Sequence, residues 1–137
     1  MKKLILITAL TLVAGLSFGQ TLQKGNLLGL HIMTINLKPK VTMDQLKTFF
    51  ICKEIPELEK QFQGVKGYLV NGGRGENKNS FGIIYLFETE EARDKYFNTD
   101  GTTNDLGKSA FEKLGPTDKE LEKLGTYTTK YTDWVVQ

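Results

Sequence analysis

Four stretches of the chain carry the apolar density of strands, and the segments between them carry apolar residues at helical spacing. In Leu27 to Leu37, LLGLHIMTINL, one parity holds Leu28, Leu30, Ile32 and Thr34 and the other holds His31, Met33, Ile35 and Leu37. Both faces are mostly apolar, which predicts an inner strand covered on both sides, and Lys38-Pro39-Lys40 ends it. Thr42 with Gln45 is a capping box, so a helix is expected from Thr42 to about Gln63. Its apolar residues fall into two stripes, Met43, Leu46, Phe49 and Phe50 on one side and Ile51, Ile55, Leu58 and Phe62 on another. Either Pro56 kinks or restarts the helix, or the helix is covered on two sides. Gly64 suits the helix end.

Val65 to Val70 and Ser80 to Glu88 then read as two strands of a hairpin around the glycine-rich loop Asn71 to Asn79. Phe81 to Phe87 is the most continuous apolar strand signal after the first twenty residues. A second helix is expected near Thr89, with Glu90 and Glu91 in its first turn and Ala92, Tyr96 and Phe97 on its apolar face. After a break at Asn98 to Gly101, Thr102 to Leu114 is expected to be helical. Gly115-Pro116 is expected to break that helix, and Thr117 with Glu120 to cap a further one that Gly125 closes. Tyr127 to Val136, rich in aromatic and β-branched residues, is the final strand.

The order is β-α-β-β-α-β with extra helix in the second crossover, an α+β, ferredoxin-like pattern. Right-handed crossovers lead to a four-stranded antiparallel sheet of order 4-1-3-2 with the helices on one face. The two central strands are then the two that are apolar on both faces. Helices cover one face of such a sheet, and the other would be an exposed apolar patch. A second copy packed sheet against sheet covers it, so a homodimer through the open sheet face is expected.

With this element order, the doubly apolar central strands and GLHIMTINLKP followed by a capped helix, the chain resembles the dimeric α+β-barrel superfamily over about residues 27 to 136. That superfamily includes antibiotic-biosynthesis-monooxygenase-like, EthD-like and stress-responsive barrel proteins. The resemblance implies a face-to-face dimer and, often, an apolar pocket between sheet and helices. Functions across the superfamily range from cofactor-free oxygenation and haem degradation to no known catalysis, so fold alone does not assign one. The haem-degrading branch uses an Asn, Trp and His constellation that His31 and Trp134 do not match, and its residues are not carried over.

The first residues change the charge picture. Lys2 and Lys3 precede an apolar run from Leu4 to Leu16, and Ser17-Phe18-Gly19 places small residues before a cleavage site at Gln20, or one residue later. Residues 1–19 read as a signal peptide, 20–26 as a lead-in and 27–137 as one domain. The run is shorter than the ~20 residues of a spanning helix, so no stable membrane insertion is expected after cleavage. The protein is expected to be exported, periplasmic or secreted. Removing Lys2 and Lys3 from 18 basic residues leaves 16 against 16 acidic ones. Acids and bases are interspersed, and no nucleic-acid partner is expected. Cys52 stands alone, which rules out an intrachain disulfide, and is expected to be a small buried hydrophobe.

Chemistry-bearing residues are sparse. His31, the sole histidine, shares the inner sheet with Tyr85, Tyr131 and Trp134 under the expected order, a set able to hold an aromatic ligand beside a group that titrates near neutrality. His31, Tyr85 and Trp134 are the catalytic candidates, and Tyr68, Tyr131 and Arg74 the ligand-binding ones. Arg74 lies among Gly72, Gly73 and Gly75, but this loop leads into a strand, so the helix N-terminus of a phosphate cradle is missing and a flexible hairpin loop is expected. Asp44, Glu54, Glu57 and Glu59 are expected on a solvated helix exterior. No cofactor or metal motif is present, nor a nucleophile elbow or kinase set. Two functions remain: an exported dimeric domain that binds a small apolar or aromatic ligand or a protein partner, or a cofactor-independent enzyme of monooxygenase or isomerase type acting on a small aromatic substrate.

Overall fold

The computed structural model describes residues 21–137. The expected leader, residues 1–19, lies outside the described residues. Among the described residues no helix is long and apolar enough to cross a membrane. The elements are β1 (Leu27–Leu37), α1 (Met43–Phe49), a π-helical turn (Phe50–Glu54), α2 (Ile55–Gln61), β2 (Val65–Asn71), β3 (Phe81–Phe87), α3 (Glu90–Asp94), α4 (Asp105–Leu124) and β4 (Gly125–Val135). The sheet order is β2-β3-β1-β4, with every neighbouring pair antiparallel. This is the ferredoxin-like fold that the apolar pattern implies, and the two doubly apolar strands are its centre.

Register decides which parity meets the helices. His31 pairs with Ile83 and Tyr131, and Gly29 with Tyr85 and Asp133. Leu27, Met33, Ile83 and Phe87 from these rows are buried with Leu46, Phe50, Ile55, Leu58, Phe62, Leu114 and Leu121 from the helices. The odd-numbered row of β1 therefore faces the helices. The even-numbered row, with Leu28, Leu30 and Ile32, faces the open side together with Ile84, Tyr68 and Trp134.

Of the two explanations of the stripes on the first helix the chain adopts the first: a second helix, α2, starts at Ile55-Pro56, and the π-helical turn before it re-aims the stripe. Thr42 caps α1 as expected, accepting from the Gln45 amide while the Gln45 side chain accepts from the Thr42 amide at 2.8 Å. At Phe50 the ladder widens, and the Ile55 amide donates to the Phe50 carbonyl, five residues back. This extra residue joins the stripes into one buried ladder of Leu46, Phe50, Ile55, Leu58 and Phe62. It also removes the clash that Pro56 would make with the carbonyl four residues before it, and Pro56 opens α2 instead. Ile51 is pushed outward and is 57% exposed. Cys52 goes with it: the thiol is free and exposed, which corrects the expectation of a buried one.

A close approach locks α2 to the sheet. A Cβ at Gly67 would sit 2.7 Å from Ile55 Cγ2, so glycine lets the helix settle on β2. The Gly67 amide donates to Glu59 at 2.9 Å, which satisfies an otherwise open edge of β2. Tyr96, buried just past α3, accepts at its hydroxyl from the Gln63 amide at 2.8 Å and so fixes the end of α2.

The expected break at Gly115-Pro116 is absent. Helix α4 runs through Pro116, Asn104 caps it by accepting from Gly107, and Thr117 is buried within it rather than capping a new helix. Gly107, Ala110, Leu114, Thr117 and Leu121 form one continuous buried stripe. An interior proline costs about 3 kcal/mol. Burying Leu114 and Leu121 together offsets that, at about 1.5–3 kcal/mol each, and Pro116 itself lies on the exposed face.

A candidate site between the sheet and the helices

Helix α4 packs against α2 and α1 and runs directly into β4, and its buried side chains Ala110, Leu114 and Leu121 join core clusters with Leu27, Phe87, Met33 and Ile83 of the central strands. The row of β4 that faces the helices is left uncovered, with Tyr127 and Tyr131 exposed at 39% and 55%. Between this row and the helices lies a half-open cavity of about 820 Å³. Its floor is the odd-numbered row of β1, β3 and β4, and its roof is α2, α4 and the loop from Phe97 to Gly101. That loop reaches β4 at Gly101, where φ is +82° and a Cβ would lie 2.7 Å from the Tyr131 hydroxyl. Glycine is therefore required at the contact that closes one side of the mouth.

His31 stands on this floor. Its ring stacks on Tyr131 at 5.4 Å and meets Tyr85 edge-on at 5.0 Å. Burial lowers its pKa, and the Asp133 charge opposes this only in part. The imidazole is thus neutral near pH 7, with one ring nitrogen to donate and one to accept. Burial also pushes the Tyr85 phenol well above its usual value, with the neighbouring Tyr127 and Glu54 adding to it. Tyr127 is raised by burial and then by Glu54 and Asp118. Both phenols keep their protons and act as donors. At the α3 end Arg93 bonds Asp133 at 3.2 Å and Asp94 at 2.7 Å. Burial acts to lower the guanidinium pKa, but these two carboxylates raise it overall.

The most unusual group is Glu54. It lies in the π-helical turn, lines the cavity, is only 5% exposed, and its Oε2 has no hydrogen-bond partner among the described residues. Burial, reinforced by the Asp118 charge, raises its pKa to about 7 from its usual 4.5. Asp118 is itself raised, by burial and then by Glu122. The expectation that Glu54 sits on a solvated face is corrected: the π turn rotates it inward while Lys53 turns outward to pair with Glu120. The one-residue mismatch between the two apolar stripes ahead of Pro56 was the signal in the sequence for this rotation.

The sequence-derived candidates divide between three places. His31, Tyr85 and Tyr131 converge in the cavity. Trp134, paired with Leu28, and Tyr68, paired with Ile84, lie on the opposite face of the sheet, at 64% and 43% exposure. Arg74 lies in the hairpin loop beyond β2, away from the cavity lining. Period-two alternation places Trp134 opposite to Tyr131, and only register, not composition, decides which parity faces inward. Glu54, Arg93, Asp118, Tyr127 and Asp133 also line the cavity and were not among those candidates. Among the described residues no three His, Cys, Asp or Glu side chains gather closely enough to hold a metal ion.

No protein-family model and no curated protein sequence matches the chain. Among solved structures it is similar to SnoaB, a cofactor-independent oxygenase from Streptomyces nogalater, with TM-score 0.46, 14% identity, and 82% of this chain and 94% of that chain covered. It is also similar to a dimeric protein of unknown function and ferredoxin-like fold from Bacteroides fragilis, with TM-score 0.42, 12% identity, and 82% and 97% covered. A conserved protein from Methanosarcina mazei matches with TM-score 0.40, 13% identity, and 82% and 95% covered.

Proposed function

We propose that the chain binds a small, mostly apolar or aromatic molecule in the cavity between sheet and helices. The observation that carries this is the cavity itself, about 820 Å³, walled by side chains such as Leu58, Phe62, Phe111 and Leu114 and provided with a few polar groups, chiefly His31 and Glu54. This is the usual anatomy of a small-molecule site: apolar walls for affinity and few polar groups for orientation. Calorimetric titration with 1-naphthol tests it. One saturable site per chain with a negative heat-capacity change is expected, and Thr129→Trp, which fills the floor from β4, should remove it. Binding unchanged by Thr129→Trp would refute the assignment.

A second reading is favoured by the two titratable groups that share the cavity. Glu54 and neutral His31 are a base and a donor able to hold or move a proton on a small aromatic substrate, as a cofactor-independent enzyme of isomerase or monooxygenase type requires. In that case Glu54→Gln or His31→Ala abolishes turnover and leaves binding of the substrate measurable. We further propose that the protein is exported with residues 1–19 as leader, and that it forms a homodimer through the open sheet face. The apolar row Leu28, Leu30, Ile32 and Ile84, with Trp134 exposed at its margin, supports the second of these.

A further inference from the structure

Five of the residues lining the cavity carry carboxylates, Glu54, Asp100, Asp118, Glu122 and Asp133, against a single guanidinium among the described residues there, Arg93. Arg93 is already engaged by Asp133 and Asp94. Glu54, Asp118 and Glu122 lie close enough together that Asp118 raises Glu54 and Glu122 raises Asp118. Among the described residues, the titratable groups that share this part of the cavity lining with Glu54 supply no cation. They are Asp118 and Glu122 from α4, the protonated phenols Tyr127 from β4 and Tyr85 from β3, and neutral His31 from β1. On its own turn Lys53 points outward to Glu120. The nearly fully buried carboxyl of Glu54 thus lines the cavity with its Oε2 unpartnered among the described residues, and the carboxylates that share that lining outnumber its one guanidinium, Arg93.

A buried acceptor in such a place is satisfied best by a donor that brings a positive charge. We propose that the cavity selects a small aromatic or apolar amine, its ammonium group held by Glu54 with Asp118 behind it and its apolar body lying against Tyr85 and Phe62. This rests on the reading of the cavity as a small-molecule site and names the ligand class. A bound ammonium stabilises the ionised carboxylate, so amine binding near pH 7 releases a proton from Glu54.

A matched series of 2-naphthylmethylamine, 2-naphthalenemethanol and 2-naphthoate, titrated by calorimetry in two buffers of different ionisation enthalpy, tests this. The amine should bind at least roughly tenfold tighter than the alcohol. The carboxylate should bind weakest, and the amine alone should release protons near pH 7. Glu54→Gln should remove the amine's preference and its proton release while retaining the alcohol. Asp118→Asn, at an exposed position, should reduce the preference in a chain with an unaltered core. Equal binding of amine and alcohol, or a preference that survives Glu54→Gln, would overturn the amine assignment and leave the cavity reading standing. Failure of all three to bind would overturn both.

Discussion

A carboxyl that titrates at 4.5 in the unfolded chain and near 7 in the folded one makes stability depend on pH in a known direction. Below 4.5 Glu54 is protonated in both states and adds nothing. Between 4.5 and 7 the folded state holds the proton more tightly, so stability falls as pH rises, and above 7 the full cost remains. At about 1.4 kcal/mol per pH unit that cost has a ceiling of about 3 kcal/mol. Glu54→Gln is therefore expected to be more stable than wild type at about pH 8, by up to about 3 kcal/mol, and equal to it near pH 4. Urea denaturation at the two pH values measures the difference, and a variant less stable at the higher pH would show that Glu54 has a stabilising partner. A group kept at such a cost is a reason to look for function at that residue. His31 works in the other direction: its lowered pKa means that it resists protonation in the fold, and stability is lost as pH falls through the ordinary histidine range.

The elements show what pattern alone conveys. The four strands were legible because alternation and β-branched content are local signals, and β1 begins and ends where its apolar run does, at Leu27 and Leu37. The helices were less legible because two of their features depend on tertiary packing. A π turn is invisible to a search at period 3.6, although it was written in the one-residue offset between the Leu46–Phe50 and Ile55–Phe62 stripes. Gly115-Pro116 is a strong local stop signal, but the stripe from Gly107 to Leu121 needs one unbroken helix to cover the core. The misplaced site residues, Glu54 above all, follow from the first of these: a solvated face was inferred from regular helical spacing that the π turn interrupts. At Gly107 the first turn of α4 lies directly on the Tyr96 carbonyl, and a Cβ there would collide with that oxygen. Gly107→Ala is expected to destabilise the fold by about 1–3 kcal/mol, read as a lower urea midpoint at unchanged slope.

At the scale of the whole molecule, the fold sets two different faces on one sheet. One face is sealed by helices except beneath α4, where it forms the cavity, and the other carries Leu28, Leu30, Ile32 and Ile84 toward the outside. If a second copy covers that outer face, Leu30→Glu should convert a dimer into a monomer in sedimentation velocity while leaving the helix-side core unchanged, and a wild-type chain that already sediments as a monomer would contradict dimerisation. The cavity lies on the opposite side of the sheet, so its ligand binding should survive Leu30→Glu. The most direct test of the central claim is where a small aromatic molecule goes. In heteronuclear NMR with increasing 1-naphthol, saturable shifts are predicted at Gly29, His31, Glu54, Tyr127 and Tyr131, with Tyr68 and Val70 unmoved. Shifts confined to the open sheet face, or none at millimolar ligand, would contradict a binding site between the sheet and the helices.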